Sequence, residues 1–546
     1  MRLFDEVIST TNINAALVNE EQPDSKKDFE TTKKEADRGS ALSQNNLGVM
    51  YLNGIGTKID YEKAFHYFEL SAKQNYPEGE NNLGSMYQNG TGVERNYEEA
   101  IKYYTLAVEK NHPAAQNNLG FMYHHALGVK QDYKKAVFYY QLAVEQNDPA
   151  AQFNLGYMFQ YGYGVDLDYQ KAFNYYSLAA KQNGADACYA LGFLYSIGKG
   201  TNQSYEKAFE NFVFAAEHGV IAAQDTVGFM YRNGLGVEQD YKQAVKYFKK
   251  AAAQKNIEAH NNLGIMYQFG YGVEQSYEQA LSYYEFAAAH DHAEAQNSLG
   301  FFYHHGLGVT QNYQRALEYY EKALESDSLP AMTNLGELYQ EGLGVEQSYA
   351  QALKYYERAA SKNYNKAFTN LGILYQNGWG VPQSIRMAKS YYQKAITTGD
   401  NRAVTLLQQL IIEQSEKRIK DKLNDFESEI SNIKKPETKI IALALHAQFV
   451  SYFKTLEQGS CEDFLKNLND FKTKCTKDIN QNLALLDKDI NFYTYVLNWI
   501  KDFSNLLIEA VSGTHGFFSI KHAGIRNQAV AIKDTVSEEM TRVSSL

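Results

Sequence analysis

A glycine preceded by leucine or valine returns every 36 residues along this chain, at Gly48, Gly84, Gly120, Gly156, Gly192, Gly228, Gly264, Gly300, Gly336 and Gly372. Ten copies run without an insertion. A fixed period of this size constrains the fold more than any other feature. One unit of 36 residues cannot bury its apolar face alone, so successive units must stack into a solenoid. Each glycine marks one repeat, and the repeats are numbered one to ten from Gly48.

Two helices are written into each repeat. In the third, Ala115, Leu119, Met122 and Tyr123 stand at i, i+4, i+7 and i+8, one face of an α-helix. Tyr133, Ala136, Tyr139, Tyr140, Ala143 and Val144 make a second amphipathic face. Gly120 lies inside the first helix, where glycine costs about 1 kcal/mol relative to alanine. Its recurrence implies that a neighbouring helix approaches too closely for a Cβ. Alanine recurs at the position of Ala136 in all ten repeats, from Ala64 to Ala388, as the small residue on the other side of that contact. A Gly-x-Gly-Val turn such as Gly162–Val165 joins the helices, and glycine there suits a left-handed helix end. A phosphate cradle would need a preceding strand and a GxGxxG or GxxxxGK[ST] pattern, and neither is present.

These residues resemble the Sel-one-like repeat (SLR), a relative of the tetratricopeptide repeat. The shared pattern is A-x-x-x-L-G-x-M-Y-x-x-G-x-G-V-x-x-D-Y-x-K-A-x-x-Y-Y-x-x-A-A, and it covers roughly residues 25–411. Departures are Ala126 for a turn glycine, Phe159 and Asn211 for tyrosines, and Ile385 at the start of the last second helix. Gln408 stands where an eleventh glycine would fall. The resemblance implies an all-α, right-handed superhelical solenoid of helix-turn-helix repeats that binds other proteins and has no catalytic role. Residues 1–24 read as a flexible lead-in, 25–411 as the array with terminal half repeats, and 412–546 as a C-terminal helical bundle or coiled-coil region.

The net charge of −11 argues against general nucleic-acid binding. Three cysteines, Cys188, Cys461 and Cys475, lack a metal-site spacing and suit a reducing compartment. The first residues show no secretory signal, and no run of about 18 apolar residues occurs. The expected location is cytoplasmic, or a host cell's cytoplasm reached without a signal peptide.

The face of the first helices opposite the packing stripe falls at offsets −3, +1, +4 and +5 from the marker glycine, the offsets that line the inner groove in tetratricopeptide proteins. Candidate partner-binding residues are Asn117, Phe121, His124, Phe153, Tyr157, Gln160, Tyr189, Phe193, Phe229, Arg232, Asn261 and Phe301. Aromatics for apolar area and amides for backbone hydrogen bonds suit a peptide groove. Packing of the +1 side chains against the next repeat is the other reading. His124–His125 and His304–His305 sit five repeats apart and cannot share a metal ion, and His290 with His292 lacks the i, i+4 spacing of zinc sites. No cofactor, metal or catalytic residue is expected.

Beyond residue 411 the period stops. Ile419, Leu423, Phe426, Ile430 and Ile433 form a short heptad seam. Further helices are expected over 439–457, around Phe464–Ile479, over 488–511 and over 523–541. This region reads as a cap or dimerisation bundle. Alternatively, Trp499 and Phe517–Phe518 would place the protein on a membrane surface as a recruited adaptor. Its polar end, SEEMTRVSSL, is similar to the C-terminal segments of effectors secreted by Dot/Icm-type systems, which implies a bacterial effector engaging a host protein. Ser544–Leu546 also matches a minimal PDZ ligand.

Overall fold

The structure, a computed structural model, describes residues 25–457 and 464–486, with residues 495, 496, 498, 499, 501 and 502. The described residues form 24 α-helices and no strand. They divide into two compact units, residues 1–311 and 312–546. The lead-in, the helix expected over 523–541, most of that over 488–511, Phe517–Phe518 and Ser544–Leu546 lie outside the described residues.

In the first unit a half-repeat helix, Ser25–Asp37, is followed by helix pairs of one design. The third repeat is typical, with a first helix Pro113–His125 and a second helix Tyr133–Glu145. The second helix starts where the Asp132 side chain accepts a hydrogen bond from the Lys135 backbone N–H, satisfying one of the helix's free donors. Asp60, Asn96, Asp168, Ser204, Asp240 and Ser276 do the same in the other repeats of this unit. First helices end on a left-handed residue, Gly162 at φ 73° for example, and Ala126 takes that conformation at φ 57°.

The helix pair closes on the marker glycine. A Cβ on Gly156 would stand 2.8 Å from the Tyr176 ring, and one on Gly84 2.8 Å from Tyr104. The alanine equivalent to Ala136 is fully buried in every repeat. Within one repeat, the start of the first helix and the end of the second are tied by side chains at offsets −4 and +26. Gln74 donates to Gln44 (2.7 Å), Gln146 to Gln116 (2.8 Å), Gln182 to Gln152 (2.9 Å) and Gln254 to Gln224 (2.9 Å). In the second repeat an ion pair takes this place, Lys110 to the buried Glu80 at 2.7 Å.

The second unit opens on Tyr313–Glu325, carries the helix pairs of repeats nine and ten, and continues into Arg402–Ser431, Pro436–Glu457 and Phe464–Leu486. Without a Gly-x-Gly turn to stop it, the helix at Arg402 runs 30 residues, through the 411–412 limit. Every residue of the heptad seam is buried. Tyr392 and Ala395 of the last repeat share one apolar core with Leu407, Phe426, Phe449, Phe471 and Trp499. Trp499 is turned inward: its ring stacks on Phe449 at 5.0 Å, and its indole N–H donates to the Lys422 carbonyl at 3.1 Å. Among the described residues no helix is long and apolar enough to cross a membrane.

The glycine–ring contact leaves no room for a methyl group. Gly156→Ala is expected to lower stability by about 1–3 kcal/mol through overpacking, read as a shift of the denaturant midpoint of the full chain at unchanged helicity. An unchanged midpoint would show that the Tyr176 ring yields at no cost.

Candidate functional site

The candidate residues of the first unit lie on the first helices, and the fold uses many of them internally. At offset −3, Asn45, Asn81 and Asn117 each accept a hydrogen bond from the asparagine at −2 of the following repeat. These are Asn82 at 2.9 Å, Asn118 at 3.0 Å and Asn154 at 2.8 Å. All are buried, so the row is an amide ladder that fixes the register between repeats. Phe153 and Tyr189, at the same offset, are buried against the rings of Tyr176 (5.5 Å) and Phe212 (5.4 Å).

The +4 position is tied to the second helix. The tyrosine that lies on the marker glycine, at offset +20, donates its hydroxyl to the +4 glutamine. The pairs are Tyr104 to Gln88 (2.7 Å), Tyr176 to Gln160 (2.9 Å) and Tyr284 to Gln268 (2.7 Å). In the second unit Tyr356 and Tyr392 pair likewise with Gln340 (3.2 Å) and Gln376 (2.7 Å). Where +4 is Leu52, Ser196 or Arg232, the ring residue is Phe68, Phe212 or Phe248 and carries no hydroxyl. The third and eighth repeats depart from this rule, the eighth with His304 at +4 and Tyr320 at +20. His124 stands at +4, yet Tyr140 keeps its hydroxyl, which is buried with no hydrogen-bond partner. Burial pushes that hydroxyl far above the ordinary tyrosine range.

Two clusters emerge. The first joins Phe121, His124 and Tyr157 of the candidate set. His124 stacks on His125 (4.4 Å), which lies on Phe121 (4.2 Å), and the His124 ring also meets Tyr133 (5.5 Å), Tyr157 (5.8 Å) and Tyr163 (6.0 Å). Phe121 is 9 % exposed and Tyr157 4 %. Burial, with His125 adding to it, lowers the His124 pKa to about 4. Burial also lowers that of His125, whose Nε2 has no partner.

The second cluster holds Phe229, Arg232 and Asn261. Phe229 is 41 % exposed, and the Arg232 guanidinium lies over its ring at 5.1 Å. Arg232 donates to Asn262 (2.9 Å), and Asn262 donates to Asp225 (2.9 Å). Burial raises the Asp225 carboxyl to about 6 against the lowering effect of that hydrogen bond. Asn261 donates to Glu294 at 3.3 Å. Phe301, against His305 at 4.2 Å, is 36 % exposed, and Phe193 is half-buried. His292 pairs with Glu258 at 3.1 Å. Among the described residues no three of His, Cys, Asp and Glu gather as a metal site.

Ten matches to the family described as Sel1 repeat tile residues 41–76, 77–112, 113–148, 149–184, 185–220, 221–256, 257–292, 293–328, 329–364 and 366–400. The chain belongs to the Sel1 repeat family. A solved structure of a protective antigen present in uropathogenic Escherichia coli strains, displaying an SLR fold, is 28 % identical. It covers 90 % of this chain and 97 % of its own, with a TM-score of 0.61. A Sel1 repeat protein from Oxalobacter formigenes is also 28 % identical, over 45 % of this chain and 96 % of its own, with a TM-score of 0.42. Among the curated proteins none matches. Sel1 repeat proteins are in general non-enzymatic scaffolds for protein interactions.

Within this Sel1 array the offsets alone do not separate available residues from committed ones. Asn117, Phe153, Gln160 and Tyr189 are held inside, whereas Phe193, Phe229, Arg232 and Phe301 reach the surface. The roles of Tyr140 and His125 are absent from the candidate set. The signal for Tyr140 is in the sequence, as the matched change of residue at +4 and +20.

His124→Gln would give Tyr140 the acceptor that the other tyrosines have. Relief of a buried unpaired hydroxyl, about 1–3 kcal/mol, outweighs the lost ring contacts at about 0.5–1.5 kcal/mol. A net gain of about 1 kcal/mol at pH 7 is expected on those figures. The His124 pKa is lower folded, about 4, than its ordinary 6.5. The unfolded chain therefore binds the extra proton as pH falls from 6.5 to 4, and the wild type loses stability over that window. Denaturant midpoints at pH 7 and pH 5 should show the variant ahead at both and further ahead at pH 5; a variant behind at pH 7 would refute the pairing.

Proposed function

We propose that the protein is a non-enzymatic scaffold that holds a segment of a partner protein along the first helices of its repeats. The observation that carries this reading is the set of side chains left outside once internal pairing is complete. Phe229 and Phe301 are exposed, Phe193 is half-buried, and the half-buried Arg232 lies across Phe229. Aromatic residues and arginine are the types that dominate binding energy at protein interfaces. They recur at one offset, +1, so a segment running along the helices would meet them in sequence. The family supports a scaffold role in general. The similarity to a protective antigen of a pathogen supports a sharper form, in which the protein is a bacterial effector and its partner a host protein. That form places the protein in the host cytoplasm without a signal peptide.

Because Phe193, Phe229 and Phe301 are not core residues, replacing all three with alanine is expected to leave helicity and the unfolding midpoint close to wild type. Affinity capture from host-cell lysate with the full chain should then recover one or a few proteins that the triple variant recovers at a tenth of the level or less, on the scale of hot-spot truncation. Equal recovery by both chains would remove the first-helix face as the binding surface.

A further inference from the structure

The third repeat keeps a tyrosine hydroxyl at +20 although +4 is not a glutamine, a combination that recurs in the sequence at His304 and Tyr320 of the eighth repeat. Across the described Tyr–Gln pairs the hydroxyl always meets a carboxamide oxygen, at 2.7–3.2 Å. Where +4 is Leu52, Ser196 or Arg232, Phe68, Phe212 or Phe248 takes the ring position. Tyr140 alone in this unit has the hydroxyl without the carboxamide. A buried hydroxyl with no partner is costly, and phenylalanine at this site would fill the same space against Gly120. In the same repeat the buried Nε2 of His125 also lacks a partner.

We propose that the +4 position of the third repeat is a recognition slot for a primary carboxamide, the side chain of a glutamine or asparagine on an extended segment of the partner protein. This rests on the scaffold reading above and names the chemistry of one of its contacts. The guest takes the place that Gln88 and Gln160 hold in the repeats on either side. Its carbonyl accepts from the Tyr140 hydroxyl, and its amide N–H groups offer donors that the free His125 nitrogen can accept. Entry requires His124 to leave its stack on His125. The ring is held only by aromatic contacts on that side, and no ion pair anchors it. A carboxylate would suit the slot less well, because no cation in the cluster could offset its desolvation: the histidines there are held neutral at pH 7. An aliphatic side chain would leave the hydroxyl unpaired. Phe121 and Tyr157 form the apolar walls through which the guest's methylene groups would pass.

The test uses the full chain and a random dodecapeptide library displayed on phage. Peptides selected on the wild-type protein are expected to share a glutamine or asparagine at one fixed position. Changing that residue to leucine should weaken binding about tenfold, and Tyr140→Phe should weaken the parent peptide by a similar factor. The two changes together should cost little more than either alone, since both remove one hydrogen bond. Tyr140→Phe should also leave the thermal midpoint of the free protein equal or higher, whereas Tyr176→Phe, which breaks an internal pair, should lower it. Selected peptides that lack a fixed carboxamide, or that bind Tyr140→Phe unchanged while losing the Phe193/Phe229/Phe301 triple-alanine variant, would overturn the slot and leave the scaffold reading standing. A midpoint that falls in Tyr140→Phe as far as in Tyr176→Phe would show the hydroxyl satisfied within the fold, for instance by a trapped water, and would also overturn it. A library from which nothing is selected would overturn both readings.

Discussion

Repeats within each unit are closed by an aromatic ring resting on a backbone from which the side chain has been removed. At Gly84, Gly120, Gly156 and Gly192 the ring carbons of Tyr104, Tyr140, Tyr176 and Phe212 would lie 2.8 Å from any added Cβ. This contact sets the distance between the two helices of a pair. It also explains why alanine at the Ala136 position is fully buried in all ten repeats, because a larger residue there would lift the second helix away. Glycine inside a helix is unfavourable on its own, and the array accepts it ten times in exchange for buried aromatic surface.

Once helix spacing is fixed, the polar groups near the contact have nowhere to go but into pairs. The tyrosine hydroxyl reaches the +4 glutamine, the −3 and −2 asparagines join successive repeats, and the −4 and +26 glutamines tie the two helices of one repeat. These bonds do not drive folding, since each replaces a bond to water. They fix register, because a slip would strand several buried amides at once. The Glu80–Lys110 ion pair shows that the geometry of the −4 to +26 link tolerates a change of chemistry so long as donor and acceptor remain matched.

The fold was legible in the sequence because it follows from a period, a glycine and an alanine, all of which are local facts. The heptad seam of Ile419–Ile433 was legible for the same reason, and all its members are buried. The end of the array was less so. Gln408 signals that the glycine contact has lapsed, but not that the helix at Arg402 then runs on to Ser431 for lack of a turn. The candidate site was only partly legible. Offsets identify a face, but the burial of Asn117 and Gln160 comes from partners 37 residues onward and 16 residues onward respectively. The second of these was readable, since in eight of the ten repeats Gln at +4 goes with Tyr at +20 and other residues with Phe. The first depends on which asparagine of a neighbouring repeat faces inward, and helical spacing alone does not decide that.

The same pairing rule explains where the surface becomes available. A +4 residue bonded to a tyrosine hydroxyl is held down toward the second helix, as the buried Gln88 and Gln160 are. In repeats five and six the ring is Phe212 or Phe248, and with the hydroxyl gone the +4 residue has no inward partner. Arg232 lies across Phe229 and bonds to Asn262 of the next repeat. Phe193 and Phe229, the +1 residues of these same two repeats, are less buried than Phe121 and Tyr157 in the two repeats before them. Loss of one oxygen atom on the second helix thus changes what the first helix can present. In the first unit Phe193 and Phe229 are thus less covered where the ring residue of their own repeat carries no hydroxyl, and in the third repeat a hydroxyl remains without its acceptor.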